Sequence, residues 1–233
     1  MADPEPEPEG LHRSLKPVLW VTLFVVAVTP FLSTGVLERS VSSILVAGMA
    51  IMALRRSNAR RSLVIGGQLA VAAAILVAIV AREVGTDEDW MSTLALSLIC
   101  VLLLVTPIVV VLRLGARPRI TVDTVAGALA AYLQIGVFFS ALYQLVQQVS
   151  DDPFFSQAGV ASSMDFQFFS FVTLTTLGYG DLTPAPEIGQ MLAILEAVIG
   201  QVFLVTVLGL AVGRLGTAMP RRGGGAEPQQ APR

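Results

Sequence analysis

Long apolar segments, separated by short polar and charged stretches, run along most of this sequence. A helix needs roughly 20 mostly apolar residues to cross the hydrocarbon core of a bilayer. Segments near that length predict membrane-spanning helices, so the pattern predicts an all-α membrane protein. The six predicted transmembrane helices cover residues 17–37, 40–54, 63–81, 91–112, 124–149 and 187–213.

The region between the fifth and sixth spans departs from this pattern. Its apolar part, residues 164–176, is only 13 residues long. That length is too short to cross a membrane and predicts a re-entrant helix over 164–175. Asp165 lies near the predicted start of this helix, where a carboxylate interacts favourably with the N-terminal end of the helix dipole.

The re-entrant helix is followed by the stretch "TLGYG", residues 176–180. Non-helical backbone is tolerated at membrane depth only where it is buried in protein or lines a watery cavity. Gly178 and Gly180 allow positive φ at alternate positions, and alternation of the sign of φ turns successive carbonyls to one side. Such a row of oxygens can coordinate cations. Because one chain supplies only one row, the pattern predicts several copies around an axis.

The composition agrees with a membrane protein. Hydrophobic residues make up 54% of the chain and charged residues 14%, whereas soluble domains carry about 25% charge. The single cysteine, Cys100, excludes an intrachain disulfide and a zinc site built on cysteine pairs. Both ends, 1–14 and 217–233, are predicted to be disordered. Between them we predict a four-helix membrane domain, 15–119, and a second membrane domain with the re-entrant segment, 120–216.

The basic residues predict the orientation of the chain. With the N-terminus inside, thirteen of the fifteen lysines and arginines fall on the inner side. By the positive-inside rule, this predicts a multi-pass protein of the plasma (inner) membrane with N- and C-termini in the cytoplasm. One inner loop carries a cluster that we interpret as a topology anchor or a site for anionic lipid headgroups. The cluster consists of Arg55, Arg56, Arg60 and Arg61.

The stretch "TTLGYGD", residues 175–181, resembles the potassium channel signature T-V-G-Y-G, with leucine replacing valine. On this motif the chain resembles prokaryotic potassium channels of the tetrameric pore-loop cation channel superfamily, over about residues 124–213. The resemblance implies a homotetramer with a pore domain, 120–216, and potassium as the bound and permeant ion, without an organic cofactor. The implied selectivity filter consists of Thr176, Leu177, Gly178, Tyr179 and Gly180. The implied potassium ligands are oxygens of residues 176–179.

The resemblance also implies roles for residues outside the filter. Asp181 corresponds to the outer mouth of the pore. Gly200 falls at the position of the inner-helix hinge glycine of this family, and Gln201 is expected to face the water-filled cavity.

The support of the filter departs from the family pattern. Many members have a pair of tryptophans in the pore helix that hydrogen-bond to the filter tyrosine and to the following aspartate. Here the corresponding positions are Phe168 and Phe169, which can pack but cannot donate hydrogen bonds. We expect these two residues, with Thr175, to support the filter around Tyr179.

Glu196 is the only acidic residue deep within a predicted span. Intramembrane ionisable residues are costly and usually face the protein interior. It lies about 140° around the helix from Gln201, so we predict that it points behind the pore. Two interpretations remain open: a gating group that responds to pH, and a structural carboxyl hydrogen-bonded to pore-helix hydroxyls such as Thr173 or Thr175.

The fourth predicted span, 91–112, carries no arginine, whereas a voltage sensor carries a series of them. The sequence therefore predicts a six-span channel without an intrinsic voltage sensor, and it does not indicate a gating stimulus. No catalytic triad, metal cluster or phosphate-binding loop appears, so we predict no enzyme activity. The alternatives are a weakly selective cation channel, a potassium-coupled transporter, which usually has repeated broken helices, and a non-conducting membrane scaffold.

Overall fold

The computed structural model describes residues 14–28, 45, 48–53, 55, 89–115, 121–157, 159 and 161–209. The helices are α1, Lys16–Val28; α2, Asp89–Gly115; α3, Val122–Val149; α4, Ser163–Leu174; and α5, Glu187–Val202. A π-helix, Phe203–Leu208, continues α5. Residues 48–53 are also helical. Across these described ranges the regular secondary structure is helical, as predicted, apart from one isolated β-bridge between Phe155 and Pro184.

Some predictions lie outside the described residues. These include the whole third predicted span, parts of the first two, the end of the sixth and nearly all of both ends. They also include Arg56, Arg60 and Arg61; Arg55 is described and is helical and exposed. The number of six spans therefore stays a prediction.

Two helices of the described ranges are long and apolar enough to cross a membrane. They are Val122–Val149, which is α3, and Glu187–Leu208, which is α5 with its π-helix. Two further apolar helical stretches, Lys16–Val28 and Leu96–Leu112, are shorter.

Helix α3 forms the centre of the described structure, because α1, α2, α4 and α5 all contact it. Two hydrophobic clusters include residues of α3. One lies mainly against α1 and α2 and contains Val25, Met49, Ile99, Leu103, Val137 and Ala141. The other is larger: it includes Leu15, Val18 and Val110 from the α1 and α2 side, and its aromatic part against α4 and the preceding loop contains Tyr132, Phe139, Tyr143, Phe154, Phe155, Phe166, Phe169 and Leu174. The short helix α4 is thus fixed against an aromatic core.

The start of α4 is set by a capping box. The Asp165 backbone N–H donates to Ser162 Oγ at 3.3 Å, and the Ser162 backbone N–H donates to Asp165 Oδ2 at 2.7 Å. This reciprocal pair satisfies two backbone donors at the helix start and typically stabilises it by about 1 kcal/mol. Helix α4 consequently begins at Ser163, one residue before the predicted start, and its C-cap is Thr175.

Candidate functional site

Residues 176–180 follow Thr175 as an exposed, non-helical segment without regular secondary structure, which we call the strand. Positive φ occurs at every second residue: 57° at Thr176, 59° at Gly178 and 77° at Gly180. Leu177 and Tyr179 have no positive φ. The glycines were predicted to allow this alternation, but Thr176 was not, because β-branched residues rarely adopt positive φ.

Backbone hydrogen bonds attach the beginning of this strand to α4. The N–H of Thr176 donates to Thr173 O at 3.0 Å, and the N–H of Leu177 donates to Val172 O at 2.9 Å. The Thr175 hydroxyl donates to Phe171 O at 2.7 Å, so this residue acts within the end of α4. The position of α4 therefore determines where the strand begins.

Phe168 and Phe169, predicted together as filter support, have different neighbours. The Phe168 ring stacks on the Tyr179 ring, with 6.1 Å between centroids and 3° between planes. The Phe169 ring is buried and packs instead against Tyr143 and Phe155, with centroid distances of 5.1 Å and 5.3 Å. Of the pair, only Phe168 stacks on a side chain of the predicted filter.

A cavity of about 220 Å³ lies between α4, the strand and α5. Phe168 and Val172 line it from α4, Gly178 from the strand and Ala193 from α5. No atom lies within 4 Å of the position that a Cβ would take at Gly178. The strand therefore has room behind it, and its glycines serve backbone conformation rather than close packing.

Two adjacent residues of α5 contact the base of the strand and the end of α4. The Gln201 side-chain amide Nε2 donates to Thr176 Oγ1 at 3.4 Å. A Cβ at Gly200 would lie 2.8 Å from the carbonyl oxygen of Leu174. Gly200 thus allows α5 to pack directly on the backbone of α4, a constraint that the sequence did not reveal. The helix passes through Gly200 without interruption, and the hinge role stays a prediction.

Glu196 is fully buried between three helices. The Tyr143 hydroxyl of α3 donates to Glu196 Oε2 at 2.6 Å. Ser170 Oγ of α4 lies 2.5 Å from Glu196 Oε1 and 2.7 Å from the carbonyl oxygen of Gly136 in α3. The side chain therefore points behind the strand, where the sequence placed it. Its partner on α4 is a hydroxyl, as the structural interpretation expected, but it is Ser170 rather than Thr173 or Thr175.

The loop before α4 is hydrogen-bonded to the segment that follows the strand. The Ser156 N–H donates to Thr183 O at 2.9 Å, and the Ala185 N–H donates to Phe154 O at 2.8 Å. The Gln157 amide donates to Thr183 Oγ1 at 2.6 Å and accepts from the Thr183 N–H at 3.0 Å. The sequence alone gave no indication of this attachment.

Asp181, predicted at the outer mouth, follows the strand directly and is exposed. Its carboxylate Oδ1 accepts from the Leu182 N–H at 3.1 Å. Across the described residues, no group of three or more His, Cys, Asp or Glu side chains could hold a metal ion.

Residues 125–216 match the model of a protein family described as "Ion channel". The match includes α4, the strand, α5 and nearly all of α3. It supports an ion channel pore domain of the pore-loop superfamily and, with the two membrane-length helices, a membrane protein that transports ions. No curated protein matches the chain.

Proposed function

We propose that four copies of this chain form a passive, potassium-selective channel whose filter is residues 176–180. The observation that carries the proposal is the alternation of φ at Thr176, Gly178 and Gly180. That alternation turns successive carbonyls to one side, and carbonyl oxygens that replace the hydration shell are the basis of potassium selectivity. Oxygens of residues 176–179 are the proposed potassium ligands, with Asp181 at the outer mouth.

The exposure of the strand supports assembly around an axis. Tyr179 is 65% exposed and Leu177 is 56% exposed in the single chain. A lone strand with one row of carbonyls cannot surround an ion, so further copies are needed to complete the coordination shell. We propose a homotetramer in the plasma membrane, with six spans per chain and both termini in the cytoplasm.

Conduction is passive in this proposal and requires no intrinsic voltage sensor. Helix α2 includes the predicted fourth span, and residues 91–112 contain no arginine. Movement of that segment would therefore carry little charge across the membrane field. Gly200 and Gln201 lie where α5 meets the base of the filter, which is consistent with a hinge and a cavity-facing residue.

A weakly selective cation channel is the second candidate, and one observation favours it. The ring of Tyr179 is held by stacking on Phe168, and a phenylalanine cannot donate a hydrogen bond to the tyrosine hydroxyl. A filter held only by stacking has fewer directional restraints on its width.

Bi-ionic reversal potentials of the purified protein in liposomes separate these candidates. With potassium on one side and sodium on the other, we expect potassium permeability to exceed sodium permeability at least about tenfold, or ~1.4 kcal/mol. Equal permeabilities would favour the weakly selective channel. An absence of current, with the protein shown to be inserted, would contradict both and favour a scaffold. Flux that requires a second, coupled ion would favour a transporter.

A further inference from the structure

The contacts between oxygen atoms around Glu196 need more protons than are present if its carboxylate is ionised. Three short contacts join them: Tyr143 Oη to Glu196 Oε2 at 2.6 Å, Glu196 Oε1 to Ser170 Oγ at 2.5 Å, and Ser170 Oγ to Gly136 O at 2.7 Å. Each is a normal or short distance for an O–H···O hydrogen bond. Each therefore needs a proton of its own.

Tyr143 and Ser170 supply one hydroxyl proton each. The tyrosine proton serves the contact with Oε2. The carbonyl of Gly136 has no proton, so the serine proton must serve the contact with Gly136. The contact between Ser170 Oγ and Glu196 Oε1 then has a proton only if Glu196 carries it.

An ionised Glu196 fits these contacts less well. It would take the serine proton for Oε1 and leave Ser170 Oγ and Gly136 O, two acceptors, facing each other at 2.7 Å. It would also leave a charge in a fully buried position. The described side chains that face this carboxyl are hydroxyls, Tyr143 and Ser170, with the Tyr132 hydroxyl bonded to Leu174 O nearby. Burial of a charge without an opposite charge is strongly unfavourable.

We propose that Glu196 is a protonated carboxylic acid that donates to Ser170, in a hydrogen-bond chain that runs from Tyr143 through Glu196 and Ser170 to Gly136. The chain ties α5 to α4 and α4 to α3 at one buried point. Glu196 is thus a positioning residue, since it hydrogen-bonds to Tyr143 and Ser170 and acts on the filter through Ser170. Only its effect on the filter rests on the proposed channel function.

The hydrogen-bond chain at Glu196 lies close in sequence to the proposed filter. Ser170 lies one helical turn before Leu174, the last residue of α4. The strand begins two residues later and is hydrogen-bonded to the backbone of α4 at Val172 and Thr173. A rotation or shift of α4 therefore moves the first filter residues directly.

Infrared difference spectroscopy at neutral pH tests the protonation directly. Wild-type protein in liposomes is compared with the Glu196→Gln variant, whose side-chain amide can accept from Tyr143 and donate to Ser170. We expect the carbonyl stretch of a protonated carboxylic acid in the wild type and its loss in the variant, with thermal stability retained. Absence of this band from the wild type overturns the proposal, as does its persistence in Glu196→Gln. Misfolding of Glu196→Gln also overturns it, because a neutral side chain would then not suffice.

The direction of the hydrogen bond is tested with Ser170→Ala. Removal of the acceptor should shift the carboxylic acid band. A matched control is Ser97→Ala, since the Ser97 hydroxyl donates only to Thr93 O of its own helix at 2.7 Å. If the carboxylic acid band has the same frequency in Ser170→Ala as in the wild type, Glu196 does not donate to Ser170. That result would overturn the proposed hydrogen-bond chain.

The positioning effect is measured separately. Ser170→Ala should lower the potassium-to-sodium permeability ratio, whereas Ser97→Ala should not. Equal ratios in both variants overturn the positioning role. The spectra do not depend on ion conduction, so a protein with the expected band and no current would refute the proposed function and leave the protonated carboxyl standing.

Discussion

Helices α3 and α5 are both long and apolar, yet the other described residues cover them very differently. The most apolar window of α3 is 72% buried, whereas that of α5 with its π-helix is 17% buried. The buried residues of α5 are Gly189, Glu196 and Gly200. Its large side chains are exposed instead, including Ile188, Met191, Ile194, Leu195, Val198 and Val202.

This difference shows that apolarity alone does not identify the packed face of a membrane helix. Small residues allow helices to approach closely in a membrane. Large aliphatic side chains pack with similar free energy against lipid or against another helix. We call the stripe of Gly189, Glu196 and Gly200 the covered side of α5 and the aliphatic face its open side. Residues 176–180 are exposed like the open side of α5. In the proposed channel, other copies of the chain cover both surfaces.

The largest effect is expected on the covered side, for Gly200→Ala. The new Cβ would lie 2.8 Å from the carbonyl oxygen and from Cδ1 of Leu174, so α4 and α5 would have to separate. Overpacking of this kind typically costs about 1–3 kcal/mol. Thermal unfolding in detergent and potassium flux in liposomes measure the loss.

Gly209→Ala is the matched control, at the residue that follows the π-helix continuing α5. A Cβ there would meet its nearest neighbour, Leu204 O, at an ordinary 3.6 Å, so we expect no loss of stability. Equal stability of the two variants would contradict the close packing of α5 on α4.

The next effect is expected in the strand, for Gly178→Ala. Space is available for the Cβ, but the φ of 59° is unfavourable for alanine and costs about 1–2 kcal/mol. We expect potassium flux to fall strongly while the protein still assembles. Gly159→Ala is the control, since its Cβ also meets nothing within 4 Å and its φ lies outside the strained region. If both variants conducted normally, the backbone conformation of the strand would not be the functional feature.

A smaller effect is expected for Phe168→Leu, which removes the ring that stacks on Tyr179. Aromatic pairs contribute about 0.5–1.5 kcal/mol beyond area burial. The potassium-to-sodium permeability ratio should fall in reversal-potential measurements. The same substitution at Phe24, a 58% exposed residue of α1, should leave the ratio unchanged. An unchanged ratio in Phe168→Leu would remove the stack from the account of selectivity.

The smallest effect is expected for Gln157→Ala, which removes both hydrogen bonds between the outer loop and Thr183. Exposed hydrogen bonds contribute little, so we expect a loss of about 0.5–1.5 kcal/mol in stability. Potassium conductance should persist. Complete loss of conduction in Gln157→Ala would show that this loop attachment is essential to the filter.

The sequence predicted the features of the site that depend on local chemistry. Asp165 marks the start of α4 because capping needs only residues within one turn, and Gly178 and Gly180 allow positive φ wherever they occur. The periodicity of the helix also predicted that Glu196 faces the protein interior, where it is buried against α3 and α4.

Features that depend on contact between distant segments could not be predicted. Tyr143 and Glu196 are separated by 53 residues, and their meeting depends on how α3 and α5 are rotated and how deeply they sit. The separate neighbours of Phe168 and Phe169 follow from helix geometry, because adjacent residues of a helix do not share a face.

Native mass spectrometry of the purified full-length protein tests most directly whether the open side of α5 and the filter strand are completed by other copies. The chain has a mass of 24.6 kDa, and we expect the intact assembly to have four times this mass. The Gly159→Ala protein should give the same assembly. A monomer or a dimer as the sole species, in a preparation that conducts potassium, would contradict the account.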